Sequence, residues 1–221
     1  MNSAMDLQQA INERRAARAF TSEPIPDVTL EAILRMGTQA PSGFNLQPWR
    51  FIVVRNQDNK TKLQECAFNQ RQVGEAPVVL ICCGDRAALN SDNIESVIHL
   101  GENNNAMNDQ YADFMRNNIP SFAENAPSFG SMEVWTNRHT MLAVAQMMIV
   151  AKSYGVDSCP MEGFVASQVK SAFNIPDNVD ICCLLALGYA KEPYKQYGGR
   201  FHLKQVCYGE SYGDSFSLES S

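Results

Sequence analysis

The stretch Ala40-Pro41-Ser42-Gly43-Phe44-Asn45-Leu46-Gln47-Pro48-Trp49 is where a helical period gives way to a strand period. Upstream, Leu30, Ile33 and Leu34 recur at helical spacing, which predicts a helix over 28–39 with Asp27 as its cap. Downstream, Phe51-Ile52-Val53-Val54 is short, β-branched and apolar, which predicts a strand over 50–54. Between them two prolines fix the backbone and Gly43 permits an unusual dihedral. Ser42, Asn45 and Gln47 present donors and acceptors between those rigid points. Such a loop either reads the polar edge of a planar ligand or makes a tight connection closed by Trp49.

The same alternation runs through the rest of the chain. Leu7, Ala10 and Ile11 share one face of a helix expected over 6–15, and a further helix is expected over 60–69. Val78-Val79-Leu80-Ile81-Cys82-Cys83 reads as a fully buried strand, and 181–187 as another. The strongest helical segment is 131–154. Its second half leaves little polar face, which implies burial on all sides, and Gly155 stands where it should stop. A shorter helix is expected over 164–173. The polar, Asn-rich segment 85–129 is too long for a structureless loop, so it reads as one or two helices plus a mobile excursion over a binding face. Alternating helices and buried strands make the class α/β or α+β in one domain.

Composition narrows the function. The chain has 221 residues, 45% of them apolar and 19% charged, which suits one compact globular domain. Eighteen Lys plus Arg against 24 Asp plus Glu give a net charge of −6, arguing against a nucleic-acid binder or a polybasic membrane-surface protein. Seven cysteines with no C-x-x-C, two pairs of them adjacent in apolar runs, suggest buried thiols and neither a disulfide framework nor a metal site. The amino end has no apolar signal core, and no apolar run approaches the ~20 residues of a membrane span. The expected location is the cytoplasm. G-x-G-x-x-G, G-K-[ST] and G-x-S-x-G are all absent, so a dinucleotide would not sit on a Rossmann turn and the commonest serine-hydrolase signal is missing.

Three further motifs can carry chemistry. Arg14-Arg15-Ala16-Ala17-Arg18 concentrates three guanidiniums in an acidic chain, either to grip a phosphate or simply to complement a helix end. Cys159-Pro160-Met161-Glu162-Gly163-Phe164 precedes a helix, where the Glu162 and Gly163 amides would be free to donate to an acceptor or would only be capped. Tyr197-Gly198-Gly199-Arg200 sets one arginine beyond the last strand.

In their order and spacing these motifs resemble the nitroreductase family of flavin enzymes, over about residues 6 to 206. Arg14 to Arg18 match its R-R-S-x-R, Ala40 to Trp49 its A-P-S-x-x-N-x-Q-P-W, and Pro160 to Gly163 its P-x-E-G. Gly188-Tyr189 through Arg200 match its closing G-Y/H and basic residue. The resemblance implies an α+β fold with a central, mostly antiparallel sheet flanked by helices, assembled as an intertwined homodimer with FMN at the subunit interface. It further implies that Arg14, Arg18 and Arg200 clamp the FMN phosphate beside the backbone of Arg15 and Ala16. Asn69 and Gln72 would face the pyrimidine edge, and Pro160, Met161, Glu162 and Gly163 would lie along the isoalloxazine. Pro41, Ser42, Gly43, Asn45 and Gln47 belong to the same cofactor frame, with the loop coming from the other subunit. The implied activity is ping-pong hydride transfer from NAD(P)H through FMN to a nitroaromatic, quinone or similar small acceptor, with no catalytic side chain beyond the flavin frame. Reductive dehalogenation or flavin breakdown under a lid at 85–129, or a flavin-binding module without turnover, are the alternatives.

Two departures from the family pattern bear on the site. Ala16 stands where the motif has serine, removing a hydroxyl from the phosphate neighbourhood. Gln72 stands where many relatives carry lysine, so it brings a hydrogen bond and no charge.

Overall fold

A computed structural model of the chain describes residues 5–125, 130–191 and 197–217. The buried run at Val78 becomes the second strand of a four-stranded sheet. Its strands are β1 (Trp49–Val54), β2 (Val78–Asp85), β3 (Asp157–Met161) and β4 (Val179–Gly188), in the order β1-β2-β4-β3. Every neighbouring pair is antiparallel. Strand β2 is covered on both faces, which is why its sequence is continuously apolar and not alternating. Val78, Leu80 and Cys82 pack with Leu30, Ile33, Val144 and Met147 on one side, and Val79, Ile81 and Cys83 pack with Leu63, Val73 and Val169 on the other. Cys82 and Cys83 therefore face opposite layers, as the two-residue strand period requires.

The layer on the first face holds α1 (Leu7–Glu13), α2 (Asp27–Gly37) and α7 (Met132–Ser153), and the layer on the second holds α3 (Gln57–Cys66), α4 (Arg71–Glu75) and α8 (Ala166–Phe173). Side-chain caps fix the starts of α1, α3 and α7: Asp6 accepts from the Gln9 N–H, Asn56 from Asp58 and Asn59, and Ser131 from Val134. Helix α7 ends where Gly155 takes a φ of +76°, and the Val156 N–H turns back to the Ala151 carbonyl at 2.9 Å. The segment after β2 is largely helical, with α5 (Ser91–Asn103) and α6 (Asp109–Asn125) packing their own small core around Ile98, Met115, Ile119 and Trp135. Residues 126–129 of that segment lie outside the described residues. A short α9 (Leu203–Val206) lies in the tail.

Several expectations need correction. Asp27 is the first residue of α2 and not its cap; the cap position is Pro26, with no side-chain bond, and Asp27 instead pairs with Arg55 at 2.7 Å. Segment 157–161 is a strand, although Pro160 hid it; β3 is an edge strand, where a missing N–H costs no ladder bond. Helix α7 is not buried all round in one chain: Leu142 is 46% exposed, and Val134 is also open. Among the described residues no helix is long and apolar enough to cross a membrane, and no His/Cys/Asp/Glu group could hold a metal. All seven cysteines are free thiols.

One buried ion pair ties the layers together. Lys152, near the end of α7, reaches Asp157 at the start of β3 with 3.2 Å between Nζ and Oδ1, and the Asp157 Oδ2 accepts the Ala190 N–H at 3.0 Å.

Candidate functional site

The arginine motif begins where α1 stops. From Ala16 the chain runs beside β3: Ala16 bridges Ser158, and the Ala17 N–H donates to the Ser158 carbonyl at 3.0 Å. It then passes the end of β4, where Phe20 bridges Ala190 and the Thr21 N–H donates to the Tyr189 carbonyl. This backbone docking fixes where the guanidiniums emerge. Arg14, Arg15 and Arg200 line one cavity of about 340 Å³ with Asn12, Ile149 and Tyr197. Arg15 lies over the Tyr197 ring at 4.2 Å and donates to the Asn12 and Arg14 carbonyls, while Arg200 approaches the same ring at 5.5 Å. Among the described residues no carboxylate pairs with Arg14, Arg15, Arg18 or Arg200. Arg18 does not line that cavity. It lies toward Cys159, whose thiol burial pushes up and the Arg18 charge draws partly back. Beside it, the buried Ser158 Oγ finds no hydrogen-bond partner among the described residues.

A second cluster forms where the α3–α4 turn meets the end of β3. Phe68 and Asn69 both take left-handed backbone angles, φ 52° and 54°, which turns the chain sharply enough to present Gln70. The Gln70 Nε2 donates to the Gly163 carbonyl at 2.7 Å, and the buried Gln72 donates to the Gln70 Oε1 at 3.1 Å. A Cβ on Gly163 would lie 3.0 Å from the Gln70 Nε2, so a larger residue there would press on that amide. Glu75 joins the clusters: its Oε2 accepts the Phe20 N–H at 3.1 Å, tying α4 to the arginine segment. The Glu162 and Gly163 amides are not at a helix entrance, because α8 begins at Ala166; they sit in an irregular link between β3 and α8. Pro160 and Met161 are strand residues.

The Pro41 to Gln47 loop is elsewhere. It precedes β1, at the opposite edge of the sheet from β3, and packs on Trp135 near the start of α7, whereas Ile149 beside the arginines is near its end. The helix between those residues spans about 20 Å at the ordinary helical rise. The unusual dihedrals fall on Phe44, Asn45 and Gln47, with φ 52°, 56° and 47°, and not on Gly43. Space is tight at Gly43: a Cβ there would lie 3.2 Å from the Trp135 ring. The Ser42 Oγ accepts the Gln47 N–H at 2.9 Å, holding the loop closed. Phe44 stacks on Phe122 of α6 at 5.7 Å, beside Phe114 and Tyr111.

One protomer thus gathers Arg14, Arg15 and Arg200 in one cavity, and joins Gln72 and Gly163 through Gln70, with Asn69 in the turn just before it. It holds Pro41, Ser42, Gly43, Asn45 and Gln47 apart from both. Gln70 and Glu75 belong to this architecture although their sequence context marks neither of them. They act through tertiary contacts that no local spacing encodes.

Known proteins resemble this chain in sequence and in fold. A family model described as Nitroreductase family matches residues 11–189. A Thermus thermophilus protein named NADH dehydrogenase is 33% identical over 91% of this chain and 95% of its own length. A Bacillus subtilis protein, MhqN, provisionally named an NAD(P)H nitroreductase, is 35% identical over 84% of this chain and 89% of its own. The crystal structure of an Exiguobacterium sibiricum protein in complex with FMN, described provisionally as a nitroreductase, superposes with a TM-score of 0.84 at 27% identity, covering 95% and 99% of the two chains.

Proposed function

The chain belongs to the nitroreductase family, and from that premise we propose that it is an FMN-dependent NAD(P)H oxidoreductase, working as a homodimer with FMN at each of two subunit boundaries. The observation that carries the reading is the cavity shared by Arg14, Arg15 and Arg200, cationic and free of carboxylate partners among the described residues. Its donor set suits a phosphate monoester, since guanidiniums fork onto phosphate oxygens. Bound FMN would accept a hydride from a nicotinamide and pass it to a small acceptor in turn.

The residues divide the work. Arg14 and Arg200 would neutralise the phosphate, with Arg18 on its flank. The Arg15 guanidinium is committed to Tyr197 and two carbonyls, so Arg15 and Ala16 would contribute backbone. Asn69 and Gln72 would face the pyrimidine edge, and 160–163 would lie along the ring, with an irregular-backbone amide of Glu162 or Gly163 available to it. The loop from Pro41 to Gln47 lies too far off to serve its own chain, which supports completion of each site by a second copy. Exposed Leu7 and Ile11 on α1 and Leu142 on α7 suit the same boundary. The aromatic series Phe44, Phe114, Tyr111 and Phe122 supports a planar, apolar acceptor such as a nitroaromatic or quinone. The lid-like role of 85–129 is part of this proposal.

The test is the visible spectrum of the purified protein before and after anaerobic addition of NADH or NADPH. Flavin absorbance that bleaches supports the reading. A protein that binds FMN and ignores both nucleotides is a binding module, and one without affinity for FMN overturns the proposal. Steady-state rates with a nitroaromatic, a quinone and a halophenol separate general reduction from dehalogenation.

A further inference from the structure

A cavity of about 530 Å³ lies apart from the arginine-lined one and shares no lining residue with it. It lies where the chain after the arginine motif (Thr21, Ser22) meets α3 (Gln57, Lys60), the end of α4 (Glu75) and Lys191, three residues past the end of β4. Lys60 is the unusual member. It is only 6% exposed, and its ammonium donates one hydrogen bond, to the Ala76 carbonyl at 2.9 Å. A lysine ammonium has three donors. Among the described residues no carboxylate pairs with Lys60 or with Lys191 across the cavity. Glu75 lines the same wall, its Oε2 accepting the Phe20 N–H and its Oε1 pairing with Arg71. A buried ammonium left without an anion is costly, and burial accordingly lowers the Lys60 pKa from its usual value.

We propose that this cavity is a second anion site, in which Lys60 and Lys191, with the Thr21 and Ser22 hydroxyls, hold the oxyanion of a phosphate monoester or free phosphate. The volume leaves room for a body attached to the phosphate, and the hydroxyls and the Gln57 amide supply uncharged contacts. The ligand would satisfy donors that the fold leaves open. It would bear on segments 18–22 and 71–77, which carry Arg18 and Gln72.

The test is calorimetric titration of the FMN-saturated protein with inorganic phosphate and, separately, with AMP, in chloride buffer of matched ionic strength. Saturable binding is expected, weakened at least tenfold by Lys60→Met and by Lys191→Ala, and unchanged by Lys62→Ala, which removes an exposed lysine of the same helix outside the cavity. Arg14→Ala should also leave it unchanged, which separates this site from the proposed flavin phosphate site even if FMN does not bind. Tighter binding of AMP than of phosphate assigns the monoester as ligand, and the reverse assigns free phosphate. Because Lys191 is exposed, its replacement does not threaten the fold. Heats no larger than those of added chloride, or full binding by Lys191→Ala, overturn the proposal.

Discussion

Replacing Lys152 by methionine keeps most of the side-chain volume but strands the Asp157 carboxylate inside the protein. The two side chains are only 11% and 10% exposed and their charged atoms stand 3.2 Å apart. Breaking a buried pair by removing one partner costs about 3–5 kcal/mol, because an uncompensated charge stays behind. For a chain of this size that lowers the midpoint of thermal unfolding by roughly 6–20 °C, at about 2–4 °C per kcal/mol. The double variant Lys152→Met/Asp157→Leu removes both charges and leaves the Ala190 N–H, which donates to Asp157 at 3.0 Å, without that acceptor. An unsatisfied buried donor costs about 1–3 kcal/mol, so the double variant should be more stable than the single by about 2 kcal/mol. Urea unfolding followed by tryptophan fluorescence, at one protein concentration and one flavin loading, measures these two and the single variant Asp157→Leu. A loss below about 1 kcal/mol for the single variant, against the expected 3–5, refutes the reasoning. So does a double variant whose loss equals the sum of the two single ones, since the charges would then not be coupled.

Other consequences can be checked more briefly. Arg14→Ala should weaken FMN binding by about 1.5–3 kcal/mol, tenfold or more, in a flavin-fluorescence titration, and an unchanged affinity removes Arg14 from the site. Gln72→Lys should raise the flavin midpoint potential by placing a cation near the anionic reduced ring, and spectroelectrochemistry showing no upward shift rejects the assignment. Burial pushes the Cys83 and Cys182 thiols from 9.0 up to about 12, so the folded chain holds protons that the unfolded chain releases. Their stabilisation is fully present below pH 9 and is lost as pH rises toward 12, and Cys83→Ala should flatten that alkaline decline. At pH 8 a thiol reagent should label Cys207, which is half-exposed, while the six buried cysteines react only after denaturant is added.

The sequence carried the strands of the sheet centre plainly, because a strand covered on both faces needs an unbroken apolar run, as at Val78 to Cys83. It carried β3 poorly. Pro160 is forbidden in a central strand but harmless at an edge, and whether a strand is an edge is a property of the whole sheet. The arginine motif and the Ala40 to Trp49 loop were both readable as local patterns. Their separation in one protomer was not, since it depends on the order β1-β2-β4-β3. Gly43 shows the same limit: its presence suggested torsional freedom, whereas its φ is ordinary and the nearby Trp135 ring makes the position crowded.

The placement of the Pro41 to Gln47 loop and of Arg14 at opposite ends of α7 has a consequence for how such a protein comes into being. If each chain lends its loop to its twin, a newly made polypeptide owns two unfinished halves and no finished whole. Capture of the prosthetic group then waits on encounter with a sibling, and solitary chains, however well folded, remain colourless.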